Sequence, residues 1–311
     1  MKKMTNATRI VGALYQHDLT IKESGPNSKN PGTQFITGNI EIATDDAGIN
    51  IVPVHFTYVT ATYGSGKANE TFNTLKNIID KVYKSVMEHG KENATKFRID
   101  SAIGLNEFYS DRSGKEELIS VKRNEGGFVH VINAIDEAEN KRNTFDTDIV
   151  ITGVTHVEAD EDRKTPEKAI VKGAIFNFRN ELLPVEFSVV HNGAIDYFES
   201  LGASTKNPIF THVRGNQISE TIVREIVEES AFGEPSVREV KNTRKDFVIT
   251  WAATEPYAWD DESTITAQEF LDAIAGRETT LATLKQRNDE WKASQGKVSA
   301  AAAPAAGGFN F

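Results

Sequence analysis

Cysteine is absent from the 311 residues. That excludes disulfides, thiol catalysis and thiolate metal sites, and it suits a reducing compartment. No apolar run approaches the roughly 18 residues a membrane helix needs. The basic start, Met1-Lys2-Lys3-Met4-Thr5-Asn6, has no apolar core behind it, so no secretory signal is expected. The Asn-x-Thr triplets at Asn6, Asn69 and Asn93 are accordingly read as chance rather than glycosylation sites. Tryptophan is scarce, at 3 residues, which weighs against an oligosaccharide-binding module. Positive charge is in deficit too: the net charge is −10, which counts against a simple nucleic-acid coat. Its distribution is uneven, however. Acid gathers at Asp45-Asp46, at Glu158 to Asp162 and at Asp260-Asp261-Glu262, whereas Lys241-Asn242-Thr243-Arg244-Lys245 is basic.

What is present fits a soluble, globular, cytoplasmic chain of two domains: 39% of its residues are hydrophobic. An internal repeat organises it. Gly38-Asn39-Ile40 followed by Ile51-Val52-Pro53-Val54-His55-Phe56-Thr57 recurs as Gly173-Ala174-Ile175 followed by Leu182-Leu183-Pro184-Val185-Glu186-Phe187-Ser188. Downstream, Phe97-Arg98-Ile99 has its counterpart in Phe210-Thr211-His212-Val213. Val121-Lys122 with Phe128-Val129 returns at one common offset as Val240-Lys241 with Phe247-Val248.

Each copy reads strand, strand, strand, helix, strand, strand. In the first, Arg9 to Ile21, Phe35 to Thr44 and Ile51 to Tyr63 are rich in β-branched and aromatic residues. Glu70 to Met87 then spaces Phe72, Leu75, Ile78, Ile79, Val82 and Val86 as an amphipathic helix. Phe97 to Phe108 and Leu118 to Ile132 complete the copy. In the second, Ile149 to Glu158, Ala169 to Asn177 and Leu182 to His191 precede a helix over Gly193 to Leu201; Ile209 to Ser219 and Arg244 to Ala253 follow. A helix between the third and fourth of five strands is the order of an OB-fold, a Greek-key barrel whose face and loops bind oligonucleotides or oligosaccharides. The expected fold is therefore mainly β with helices: two tandem OB-like five-stranded Greek-key barrels, a C-terminal helix and a flexible tail. The divisions are 1–134 for the first barrel, 135–147 for a linker, 148–259 for the second barrel, 260–296 for a helical arm and 297–311 for a disordered tail. Within the arm, Thr266 to Trp291 is predicted helical, capped by Thr264 or Thr266 and interrupted at Gly276.

With its tandem modules, its aromatics on middle strands and its Ala-Pro-Gly tail ending in Phe309-Asn310-Phe311, the chain resembles the single-stranded DNA-binding proteins of phages and bacterial mobile elements. The resemblance implies single-stranded DNA as partner, a role in DNA replication or recombination, and docking of replication or recombination proteins on Phe309 and Phe311. The acidic run that usually precedes such a tip is missing here.

Holding a single strand requires planar side chains for stacking and cations for phosphates. The first copy offers Tyr58 and Tyr63 on the third strand, Lys67 beyond the turn, and Lys122 and Arg123 on the fifth. Phe56 is assigned to the core because Phe187 repeats it. The second copy offers Phe178 and Arg179, His212 and Arg214, and Lys241, Arg244 and Lys245. One of Phe176 and Phe178 is expected in the core and the other exposed; Trp251 either stacks on a base or fills the barrel's end. Tyr197 and Phe198 are expected to pack the second helix on its barrel.

Catalysis finds little support. Tyr63-Gly64-Ser65-Gly66-Lys67 lacks the spacing of a phosphate loop, and the histidines are scattered without a His-Glu-x-x-His. Glu158, Asp160, Glu161 and Asp162 do not complete a calcium loop. No enzyme activity, cofactor, metal or membrane association is expected. The rival expectation is a structural or adaptor protein, as of a virion, that uses the same domains for protein contacts.

Overall fold

The computed structural model describes residues 4–159, 166–228, 236–259 and 264–301, with backbone alone for 221–228, 236–243 and 295–301. Asp160, Glu161 and Asp162 lie outside the described residues, as do Phe309 and Phe311. The fold is mainly β with a C-terminal helix. In the first half the strands are β1 (Asn6–His17), β2 (Thr20–Glu23), β3 (Gln34–Ala43), β4 (Ile51–Thr60), β5 (Lys96–Ser110) and β6 (Glu117–Ile132). In the second they are β7 (Asn143–Val157), β8 (Lys168–Phe176), β9 (Leu182–Val189), β10 (Ile209–Glu228) and β11 (Ser236–Ala252). Helices α1 (Glu70–Ile79) and α2 (Val86–His89) fall between β4 and β5, α3 (Asn192–Ser200) between β9 and β10, and α4 (Ala267–Ala301) at the end.

Hydrogen bonding returns on itself in each half. β1 pairs with β3 and β5, β3 with β4, β4 in parallel with β6, and β6 with β5. Likewise β7 pairs with β8 and β10, β8 with β9, β9 in parallel with β11, and β11 with β10. The expected order of elements is met in both, with β2 an added edge strand on β3. The paired halves are not in identical register, however: Pro53 faces Glu41, whereas Pro184 faces Ala174. The Gly-x-Ile blocks of the repeat therefore sit differently against their proline strands.

Strand alternation builds the cores. Val52, Val54 and Phe56 point inward from β4 and meet Ile10, Ile40 and Phe97, under Phe72, Leu75 and Ile78 of α1. Phe145, Ile149, Phe187 and Phe247 form the second core with Ile195 and Phe198 of α3. Tyr197 packs against it and donates from its hydroxyl to Ala253 O at 2.8 Å. The Asn69 side chain caps α1 by accepting from Thr71 N at 3.2 Å. The helix expected to reach Met87 stops at Ile79 because Lys81 adopts a left-handed φ of 59°, and Ser85 caps the separate turn α2. Val82 is left exposed.

The halves are joined by more than chain. β7 begins at Asn143, inside the stretch expected as linker, and pairs antiparallel with β1. Asn6 donates to Ile103 O at 2.9 Å and to Phe176 O at 3.1 Å, tying both halves to one side chain. Ile103 of β5 even enters the second core. At the start of α4, Thr266 and Glu269 form a reciprocal cap, with Glu269 N donating to Thr266 Oγ1 and Thr266 N to Glu269 Oε2. Ile265 and Phe270 seat the helix against Phe176 and Phe210. The helix continues through Gly276, expected to interrupt it, and runs to Ala301, past the start of the expected tail.

Candidate functional site

A groove of about 1800 Å³ opens where the first half meets the turn between β8 and β9 and the flank of α4. Above the buried Phe56 and Phe176, its outer aromatic lining comes from three places: Tyr58 and Tyr63 at and just past the end of β4, Phe128 on β6, and Phe178 on the turn. All are exposed, Phe128 at 60% and Phe178 at 76%, so none is occupied by packing its own core.

Local backbone chemistry aims each of them. Tyr58 stacks at 4.5 Å on Phe35 and its hydroxyl lies 3.0 Å from Ser24 Oγ, which fixes the ring on the surface. Tyr63 begins a tight turn in which Gly66 has φ 80° and donates to Tyr63 O. Lys67 closes this turn, exposed, beyond the groove lining. At the β8–β9 turn, the Asn177 carboxamide oxygen accepts from Arg179 N at 2.9 Å and Glu181 N at 3.0 Å. That turn chemistry pushes Phe178 and Arg179 outward, the guanidinium 5.1 Å from the Phe178 ring centre. Phe176, two residues earlier, is buried, so this pair divides as expected.

The other expected residues lie elsewhere. Lys122 is not available to a phosphate: its ammonium sits over the rings of Phe187 at 5.3 Å and Phe247 at 5.1 Å and donates to Glu186 O. Burial pushes its pKa down, against the pull of Asp246 and Glu186. Arg123 is half-buried and paired at 2.9 Å with Glu125. His212 is wedged between Asp146 and Asp148, 2.7 Å from each, and is nearly buried. Arg214 pairs with Asp146 at 2.9 Å and lies 4.9 Å over Trp251, which is half exposed and does not fill a core. Arg244 and Lys245 are exposed on β11. Lys241 is in β11 opposite Val223, its side chain outside the described residues. The structure thus brings together Tyr58, Tyr63, Phe178 and Arg179, and separates them from a second surface of Arg214 and Trp251.

Sequence reasoning missed Phe128 as a site residue. The available signal was the doublet Gly126-Gly127 before it. Sequence reasoning also missed the acid around these rings: Asp100, Glu107, Glu125, Glu181, Glu269 and Asp272 line the groove. Glu107 is held by Arg277 of α4, Nη1 to Oε2 at 2.6 Å, with a second contact from Nη2. Farther along, Glu116 receives Lys285 at 2.7 Å and Lys292 at 2.9 Å, and these hydrogen bonds draw its pKa down to about 2. Ion pairs therefore fasten α4 along the β5–β6 hairpin. Among the described residues no cluster of three or more acidic or histidine side chains could hold a metal, and no helix is long and apolar enough to cross a membrane.

The YorF family model matches residues 5–287, nearly the whole described chain. The chain belongs to the YorF family. No curated protein matches this YorF sequence. Among solved structures, the YorF chain is similar to a deletion mutant of the single-stranded DNA binding protein from Thermus aquaticus, at 10% identity and a TM-score of 0.46 over 84% of this chain and 100% of that one. It is also similar to a replication protein A heterotrimer bound to ssDNA, at 9% identity and a TM-score of 0.23 over 89% of this chain and 70% of that one.

Proposed function

We propose that this YorF protein is a non-catalytic single-stranded DNA-binding protein, tolerant of sequence, serving DNA replication or recombination of a phage or mobile element. In this reading each closed circuit of five strands is an OB-like barrel, because its strand order and its single parallel pair have that arrangement. The observation that carries the proposal is the convergence of Tyr58, Tyr63, Phe128 and Phe178 with Arg179 on one groove. Exposed aromatic rings cost free energy in water, and stacking against a planar ligand recovers it. Unpaired bases offer such planes, whereas duplex DNA hides them in its own stack. The test is titration with a fluorescent oligothymidylate and with a duplex of equal length across a salt series. Preference for the single strand, weakening as salt rises, is expected. No binding at low salt would overturn the proposal.

That outcome would favour the second reading, a structural or adaptor protein, as of a virion, that uses these domains for protein contacts. Its support is the net charge of −10 together with Leu271, Ile274 and Trp291, which α4 leaves exposed. Docking of replication or recombination proteins on Phe309 and Phe311 remains part of the proposal; removing 307–311 is expected to leave DNA affinity intact.

A further inference from the structure

We propose that the groove takes a single strand bases inward and phosphates outward, with Phe128 as its central stacking residue. This rests on the reading of the groove as a single-strand site. The first observation is a bulge. Asp100 pairs with Phe128 and Ala102 with Glu125, so Ser101 alone opposes Gly126 and Gly127. Gly126 has φ 66° and Gly127 φ 114°, a conformation that a side chain resists. A Cβ on Gly127 would also lie 2.2 Å from Asp100 O. The bulge is held from below, because Thr71 at the start of α1 donates from Oγ1 to Gly127 O at 3.3 Å. Bulges re-aim the side chain that follows. Here the residue re-aimed is Phe128, set on the groove while Val129 stays in the core.

The second observation is charge. Of the carboxylates on the groove, Asp100 is paired with Arg98, Glu125 with Arg123 and Glu107 with Arg277. Those pairs occupy the nearby cations. Glu181 and Asp272 instead accept hydrogen bonds from the neutral amides of Asn177 and Gln268. Among the described residues, Arg179 is the groove cation without an ion pair. A phosphate drawn into this space would meet more negative charge than positive. At the rim, near Lys67 and in bulk solvent, it would not. The bases, uncharged and planar, are the part of the strand that the groove accepts. A basic channel that tracks phosphates has the opposite electrostatics.

The experiment compares oligothymidylate with an abasic oligodeoxynucleotide of the same length, on the full chain and on Phe128→Ala and Phe128→Trp. The expected results are at least a tenfold loss on the abasic strand, about a tenfold loss for Phe128→Ala with unchanged thermal stability, and retention by Phe128→Trp. With one or two phosphates neutralised, affinity is expected to fall about three- to sevenfold between 50 and 200 mM salt. Equal binding of the abasic strand, a silent Phe128→Ala, or a much steeper salt dependence would overturn this mode while leaving single-strand binding standing. No oligothymidylate binding at low salt would remove both.

Discussion

Phe128 and Phe247 hold matching places in the sequence repeat, each followed by Val and preceded at the same distance by Val-Lys. Phe128 is 60% exposed and Phe247 is 7% exposed. Strand register separates them, Phe128 facing Asp100, three residues past Phe97, and Phe247 facing Gln217, seven past Phe210, and so does what precedes each. Gly126-Gly127 bulges β6 and turns Phe128 out, whereas Phe247 follows Lys245-Asp246 and packs with Phe145 and Phe187 at centroid distances of 5.7 and 6.0 Å. The third strands diverge in the same sense. Tyr58, two residues after Phe56, is exposed; Val189, two after Phe187, is fully buried. The first half thus presents its rings to the groove, and the second buries its equivalents and contributes the β8–β9 turn instead. A pattern that recurs in the sequence leaves exposed rings on one half and buried rings on the other.

The comparison breaks most visibly at Phe247. Phe247→Ala should cost about 3–4 kcal/mol, read as a fall in the denaturation midpoint, whereas Phe128→Ala should stay within about 0.5 kcal/mol of the parent. Next, Gly127→Ala should destabilise by on the order of 3 kcal/mol, since it meets both a positive φ and the Asp100 carbonyl. A calorimetric loss no larger than that of an exposed Gly→Ala change would contradict the bulge as the device that aims Phe128. Lys122 sharpens the contrast, because its stem and ammonium cover the second core. Lys122→Ala should cost about 2 kcal/mol and Lys122→Met under about 1 kcal/mol, both by chemical denaturation.

The smallest effect concerns α4 and pH. The folded Glu116 carboxyl titrates near 2 against an unfolded value of 4.5, so the unfolded chain binds the extra proton between those values. Stability from this group is fully present above about pH 4.5 and is lost as pH falls towards 2. Glu116→Gln should remove that window, detected as hydrogen-exchange protection of α4, taken relative to the intrinsic exchange rate at each pH, that no longer falls with acid over the same range.

Local pattern carried much of this architecture. The spacing of Phe72, Leu75 and Ile78 announced α1, the alternation of Val52, Val54 and Phe56 announced β4, and Thr266 marked the start of α4. These signals depend on neighbours along the chain. Tyr58, Tyr63, Phe178 and Arg179 were legible as site candidates for the same reason: each is a stacking ring or a cation near the end of a strand. What stayed hidden depends on partners far away in sequence. Lys122 is taken out of reach by Phe187 and Phe247, and His212 by Asp146 and Asp148. Phe128 was hidden for a different reason. Its alternation with Val129 fits either face, and only the bulge decides which one the ring takes.

In the proposed mode the strand lies in the groove between the first half and the β8–β9 turn. An oligonucleotide carrying a photoreactive pyrimidine, crosslinked to the full chain and mapped by mass spectrometry, tests it most directly. Adducts on Tyr58, Tyr63, Phe128 or Phe178 are expected. Adducts confined to the surface around Arg214 and Trp251 would contradict it, and would move the site to the second half.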